Sequence, residues 1–206
     1  RGLARGDTQL ADALERLYHL FKDADTLGSL IDPRRAAESD RLTGVSYEEV
    51  APVLHHALSR YGGDDPARQV FAHAAEDVAT AAKLLAGRYT LTATNVPYLG
   101  FKKQSPVLRD FGNAVLVDGK ANLASMFIER CLLRARGATL AVVAPQNWLL
   151  QGSYERLRRR ALRDAEWCFL ARLGTGAFEC ISGEVVNVCM LGISNRHPVS
   201  DHKIFG

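Results

Sequence analysis

Apolar residues recur every three or four positions through the first 87 residues, which is the spacing of amphipathic helices. Polar caps, a capping box and a Pro at a first helical position mark where these helices begin. The predicted helices run from Asp7 or Thr8 to about Lys22, from the capping box at Ser46 to Gly62, and from Pro66 to Gly87, with a loop through Gly28. The pattern therefore predicts a helical segment over residues 1–87.

From residue 88 onward, short β-branched and apolar runs alternate with helical stretches. Strands are predicted at 89–94, 139–144, 167–173 and 185–193, and helices at 123–136 and 154–164. This alternation implies a parallel sheet with right-handed crossovers. A glycine-rich link without a helix joins the last two strands, which favours an antiparallel pair at a sheet edge. Residues 88–206 are therefore predicted to form an α/β domain.

Composition narrows the class of protein only slightly. The 206 residues are 47% hydrophobic and 24% charged, which suffices for a sizeable core, and the net charge of +3 permits a nucleic-acid partner without arguing for one. No apolar run is long enough for a membrane span and no secretory signal is present, so we expect a cytoplasmic protein with no membrane contact. Four separated cysteines without a Cys-x-x-Cys pair predict reduced thiols and no metal site.

The most informative stretch is residues 90–100, where a β-branched run ends at Asn95 and Val96-Pro97-Tyr98 follows as a stiff, extended turn. The Asn95 amide can accept and donate hydrogen bonds, and Tyr98 offers a flat ring on which a base can stack. This combination suits the capture of a flipped nucleobase. The alternative is a strand-ending turn with a packed tyrosine.

The run from Asn95 to Tyr98 resembles the Asn-Pro-Pro-Tyr motif of adenine-specific DNA methyltransferases, with Val96 in place of the first proline. Further matching stretches occur in order at residues 21–31, 126–132, 145–148 and 173–186. Together they make the chain similar, from about residue 15 to 194, to the large adenine methyltransferases of BREX (Pgl-type) phage-defence systems, relatives of fused restriction–modification enzymes. The resemblance implies a partial Rossmann-like methyltransferase sheet with an antiparallel last strand.

The resemblance also implies an activity: methyl transfer from S-adenosylmethionine to the exocyclic amino group of adenine in double-stranded DNA, in phage defence or restriction–modification. The target base must be rotated out of the duplex. The Asn95 side-chain carbonyl and the main-chain carbonyl of Val96 would accept hydrogen bonds from the amine, Pro97 would stiffen the turn, and Tyr98 would stack on the base. The partners implied are DNA and other phage-defence proteins.

Candidate DNA contacts lie near this turn. Lys102 and Lys103 follow it directly, and Asn147 and Trp148 follow a buried strand at the carboxyl edge where sites of α/β proteins form. Trp148 could equally be a core aromatic. The arginine-rich helix at residues 154–164 is either a solvated basic face or a phosphate-binding surface.

The main cofactor motif of such enzymes is absent from this sequence. No strand, glycine-rich turn and helix precede Tyr89, and Gly174-Thr175-Gly176 lacks a third glycine and a following helix. We therefore expect a fragment of a longer polypeptide, starting at Arg1 rather than Met, that is inactive alone and binds S-adenosylmethionine weakly. The alternative function is a non-catalytic DNA-binding module of a defence complex with a degenerate methyltransferase fold. An unrelated α/β nucleotide enzyme is disfavoured by the lack of a phosphate loop.

Overall fold

A computed structural model gives the structure of residues 15, 18–34, 66–133, 137–174 and 187–205. The chain divides into two compact units, Arg1–Gly87 and Arg88–Gly206. We describe each unit by itself.

The described part of the first unit is helical. Residues 18–21 end a helix, and a second helix, α1, follows at Ala24–Leu27 with a 3-10 turn at Gly28–Leu30. The prediction of a loop here was wrong, because the N–H groups of Thr26 and Leu27 both bond to the Asp23 carbonyl, at 3.1 and 2.9 Å, and close a helical turn. Helix α2, Pro66–Ala86, confirms the helix predicted from Pro66. The predicted helix at Ser46 and most of the helix from Asp7 lie outside the described residues.

The second unit contains a mixed four-stranded sheet in the order β1-β2-β4-β3. Its strands are β1 Leu91–Asn95, β2 Thr139–Pro145, β3 Glu166–Gly174 and β4 Val188–Ser194. Strands β1 and β2 are parallel, and β4 is antiparallel to both β2 and β3. Three strands therefore point one way and the last is reversed, which confirms the predicted α/β sheet with an antiparallel last strand.

Among the described residues, four α-helices lie between these strands: α3 Pro106–Ala114, α4 Leu123–Leu132, α5 Asn147–Leu150 and α6 Glu155–Asp164. The sequence predicts α4 and α6, but neither α3 nor the short helix α5. Helix α3 has a clear start, because the Ser105 hydroxyl accepts a hydrogen bond from Leu108 N–H at 3.2 Å and Pro106 is its first residue. In α4 the Asn122 side chain has the same capping role, accepting from Ala124 N–H at 2.9 Å.

The core of this unit lies where α4 and α6 pack against β2 and β4, and Ile128, Leu157 and Leu191 are completely buried in it. Trp148 and Trp167 stack inside the same core, with ring centroids 5.5 Å apart. Burying side chains of this size stabilises the fold by about 1.5–3 kcal/mol each. The sheet is thereby a rigid support for the loops at its carboxyl edge.

Candidate functional site at the carboxyl edge of the sheet

Asn95 is the last residue of β1 and is paired in register with Val143 of β2. Its side chain is exposed, in a strand whose residues alternate between exposed and half-buried. Because β1 and β2 are parallel, their carboxyl ends meet at one edge of the sheet, and an exposed amide at that edge can reach a ligand. The structure thus leaves the Asn95 amide accessible at the end of an ordered strand.

Val96 fixes the start of the turn. Its side chain is 3% exposed and belongs to the core. Its N–H bonds to the Val143 carbonyl at 3.5 Å, which extends the β1–β2 ladder by one long, weak hydrogen bond. The backbone next to Asn95 is therefore held by side-chain burial more than by hydrogen bonding, and Pro97 after it is exposed.

Tyr98 is half-buried and packs against the core. Its hydroxyl oxygen is shielded from solvent and has no hydrogen-bond partner. Burial raises the pKa of this hydroxyl above its ordinary value, and the nearby Cys189 thiol adds to the increase. Tyr98 therefore stays neutral across the whole physiological range, with its polar end inward and part of its ring accessible.

The loop after Tyr98 is bound to residues 119–123, which comprise a second loop and the first residue of α4. Leu123 N–H donates to the Leu99 carbonyl at 2.9 Å. The buried Gln104 amide nitrogen lies 3.3 Å from both the Leu99 and the Lys120 carbonyl oxygens and bridges the two loops. Glu129 holds the second loop from below, because its carboxylate accepts from Gly119 N–H at 2.6 Å. The sequence does not predict the roles of Gln104 and Glu129, since an isolated polar residue carries no signal of its burial.

A 3-10 turn at Phe101–Lys103 forms the outer part of this loop and exposes Lys102 and Lys103. The Phe101 ring is 40% exposed. The Arg109 guanidinium carbon lies 5.8 Å from the centre of that ring. The structure therefore presents an aromatic ring and cationic side chains within a few residues of Tyr98.

The residues after β2 divide between surface and core. Asn147 is exposed, while Gln146 is buried and accepts a hydrogen bond from Arg172 Nε at 3.0 Å. Trp148 is 2% exposed and stacked on Trp167, so its ring is not available to DNA in this structure. The sequence left two roles open for Trp148, a DNA contact and a core aromatic. The structure places it in the core. Asn95 ends β1 and Asn147 follows the adjacent parallel strand β2, so both lie at the carboxyl edge.

The arginines of α6 are paired with protein groups. Arg160 lies 3.0 Å from both Asp118 and Glu129, and Arg156 lies 3.2 Å from Asp118. Arg158 donates to the carbonyls of Trp148 and Gln151, each at 2.9 Å. The remaining pairs, Arg159 with Glu155 and Arg163 with Asp164, are at 2.8 and 2.6 Å. Most of this basic charge is therefore already compensated within the fold.

In the part of the chain that the structure describes, no group of side chains is placed to hold a metal ion. The main cofactor motif does not occur there either. Groups of three His, Cys, Asp or Glu with suitable positions are absent there. No disulfide bond joins the described cysteines Cys131, Cys168 and Cys189, and Cys180 lies outside the described residues. The helix before β1 is α2, and no strand with a glycine-rich turn precedes it in the described ranges. Every described helix is also too short or too polar to cross a lipid bilayer.

Two curated proteins are similar to this chain, whereas no family model matches it. The chain is 32% identical over 203 residues to the adenine-specific methyltransferase BrxX of Escherichia coli O9:H4 (strain HS), covering 95% of this chain and 16% of BrxX. It is 35% identical over 107 residues to the adenine-specific methyltransferase PglX of Lacticaseibacillus casei (strain Zhang), covering 50% of this chain and 9% of PglX. The chain therefore spans less than a fifth of the length of either relative.

Among solved structures, the type IIL restriction-modification enzyme MmeI in complex with DNA shows a partial likeness. Its sequence identity to this chain is 18%, and the match covers 55% of this chain and 16% of that chain with a TM-score of 0.44.

Proposed function

Since this chain belongs to the family of BREX/Pgl-type adenine-specific methyltransferases, we propose that it forms the adenine-binding side of an enzyme that methylates the exocyclic amino group of adenine in DNA. The observation that carries the proposal is the exposed Asn95 amide at the carboxyl end of β1, beside a core-anchored Val96. The biological setting that we propose is phage defence or restriction–modification, with double-stranded DNA and other defence proteins as partners.

Asn95 and Val96 would act together on the amine of a base rotated out of the duplex. The Asn95 side-chain carbonyl accepts one hydrogen bond and the Val96 main-chain carbonyl accepts the other. Two acceptors draw the nitrogen toward tetrahedral geometry and expose its lone pair. Burial of the Val96 side chain fixes where its carbonyl lies, so the two acceptors need little reorganisation when the base arrives.

Tyr98 would stack on the extruded purine with the accessible part of its ring. A stacked base gains roughly 1–3 kcal/mol from such a contact. Its hydroxyl points into the protein and takes no part in proton transfer, because burial raises its pKa. Lys102 and Lys103 would contact phosphates, and Asn147 would contact DNA from the adjacent strand end. The buried Trp148 is left out of this set.

S-adenosylmethionine would supply the methyl group, but the described residues do not contain its main binding motif. We propose that most of its contacts come from other parts of the full-length protein. This chain's own residues bind and orient the adenine and shape the polar edge on which it lies.

The test is Asn95→Ala in the full-length protein, with Asn113→Ala as a matched control. Asn113 is also an exposed asparagine, in α3. We expect Asn95→Ala to reduce adenine methylation by about a hundredfold or more, the cost of removing one preorganised polar contact to a transition state. Transfer of labelled methyl groups to DNA measures the activity, and thermal melting checks the fold.

Full methylation by the Asn95→Ala protein would refute the role of this residue. Absence of adenine methylation in the wild-type protein, together with sequence-independent DNA binding, would instead favour the non-catalytic DNA-binding module.

A further inference from the structure

Phe101 is an exposed aromatic ring on a fixed backbone. The ring is 40% exposed, although phenylalanine is among the residues most often buried. Phe101 N–H donates to the Ala121 carbonyl at 3.0 Å, and its carbonyl accepts from Gln104 N–H at 3.2 Å. The side chain therefore extends from an ordered 3-10 turn, and the described part of the chain leaves 40% of it exposed.

Three cationic side chains lie over this ring or follow it in the chain. The Arg109 guanidinium lies over it, 5.8 Å from its centre, and the Arg109 Nε is buried without a hydrogen-bond partner. Lys102 and Lys103 follow Phe101 directly in the exposed turn. An exposed ring among positive side chains matches the chemistry of one nucleotide, in which the base stacks on the ring and the phosphate meets the cation.

The distance to Asn95 suits a nucleotide near the target adenine. Phe101 lies six positions after Asn95, and a chain of that length spans at most about 20 Å. Nucleotides along one DNA strand rise by about 3.4 Å each. A ring at this position therefore lies within about six nucleotides of a base held at Asn95.

We propose that Phe101 and Arg109 form a nucleotide-binding site for a residue of DNA that flanks the target adenine. Phe101 stacks on the unpaired or partly unstacked base, and Arg109 contacts its phosphate. This inference rests on the proposed function, because Asn95 fixes where the DNA lies.

The test measures binding of a fluorescently labelled duplex to the full-length protein by anisotropy, over a series of salt concentrations. Phe101→Ala should weaken binding about tenfold and leave the salt slope unchanged, since a stacking contact releases no counterions. Phe101→Tyr should bind as tightly as wild type, whereas Phe101→Leu should bind more weakly than wild type, as Phe101→Ala does. Arg109→Gln should lower the slope of log K against log salt by about 0.9, the value for one phosphate. Leu162→Ala, which removes an exposed apolar side chain from α6, is the control.

Three results would overturn the proposal: unchanged binding by Phe101→Ala, binding by Phe101→Leu equal to that of wild type, or an unchanged salt slope for Arg109→Gln. Melting temperatures within the range of the Leu162→Ala protein show that the variants are folded. Methylation is measured on the same samples. If the wild type transfers no methyl group but Phe101→Ala still weakens binding, the methyl-transfer proposal fails and the nucleotide site stands. If methylation is intact and Phe101→Ala binds the duplex as tightly as wild type, the nucleotide site fails and the methyl-transfer proposal stands.

Discussion

Val96 differs from the proline of the resembling motif by carrying a backbone N–H. Proline would lock this residue's φ angle by its ring and would have no hydrogen to donate. Here the N–H extends the β1–β2 ladder to Val143 at 3.5 Å, and the side chain is 3% exposed. The carbonyl that we assign to the adenine amine is therefore held by a ladder bond and by core packing. The substitution keeps the acceptor and changes what positions it.

Two substitutions of Tyr98 test the roles of its ring and of its hydroxyl separately. Because the hydroxyl is buried without a hydrogen-bond partner, Tyr98→Phe should leave the free energy of unfolding unchanged or raise it slightly, and should preserve methylation. Tyr98→Ala should reduce methylation by roughly tenfold to a hundredfold through lost stacking. Urea denaturation and kcat/KM for a DNA duplex measure the two effects.

A large loss of activity in Tyr98→Phe would contradict this assignment and give the hydroxyl a chemical role. The pH dependence provides a second check. Because the pKa of Tyr98 is raised, wild type and Tyr98→Phe should have superimposable rate profiles at every pH below the ordinary tyrosine value of about 10.

At the scale of elements, two loops and one helix form a single support for the Asn95 turn. Residues 99–104 bond to residues 119–123 through Gln104 and Leu123, and Glu129 of α4 holds Gly119. A Cβ on Gly119 would clash with the Ser125 carbonyl oxygen, so this close approach requires glycine. The ion pairs of Arg160 then join this support to α6.

Arg160 and Arg159 are a matched pair of variants on α6. Glu129 has a side chain 3% exposed, so Arg160→Met leaves a buried carboxylate without its cation and should destabilise the fold by about 3 kcal/mol. Arg159 is 78% exposed and pairs with Glu155 on the same helix, so Arg159→Met should cost less than about 0.5 kcal/mol. The two tryptophans of the chain, Trp148 and Trp167, share one core, so their fluorescence follows the unfolding of this unit in urea.

Equal stability of the two variants would show that the Arg160 pair contributes no more than a surface ion pair. DNA binding supplies the complementary readout: because these arginines are already paired, Arg159→Met should leave the salt dependence unchanged.

Hydrophobic periodicity was enough to predict the sheet and two of its helices. Strands β1 to β3 are short β-branched or apolar runs, and the glycine-rich link correctly indicated an antiparallel β4. Helix α3 was missed because its nine residues include glycine and asparagine and only a narrow apolar stripe. Local chemistry predicts Asn95 and Tyr98 as site residues, whereas the burial of Gln104 and Glu129 depends on which loops meet. The role of Trp148 needed coordinates because burial decides it.

At the scale of the whole molecule, the described sheet has an open edge at β1. The chain spans 16% of BrxX, and β1 is a terminal strand of the described sheet, with Leu91 58% exposed. Strand edges of this kind are usually covered in native proteins. We therefore expect the cofactor-binding strands of the full-length protein to continue the sheet beyond β1.

We therefore predict that the isolated chain of 206 residues does not bind S-adenosylmethionine with micromolar affinity. Tight binding of such cofactors needs a glycine-rich turn whose backbone N–H groups approach the ligand at a helix start, and no such unit occurs among the described residues. Calorimetry should use about 0.1 mM S-adenosylmethionine, roughly a hundredfold above a micromolar Kd. The isolated chain should then show no heat of binding, whereas the full-length protein should show saturable binding. Native tryptophan fluorescence shows that the isolated chain is folded in the same samples. A micromolar Kd for this chain alone would mean that the polar edge around Asn95 binds the methyl donor as well as the adenine, and the division of the site between this chain and the rest of the protein would then be wrong.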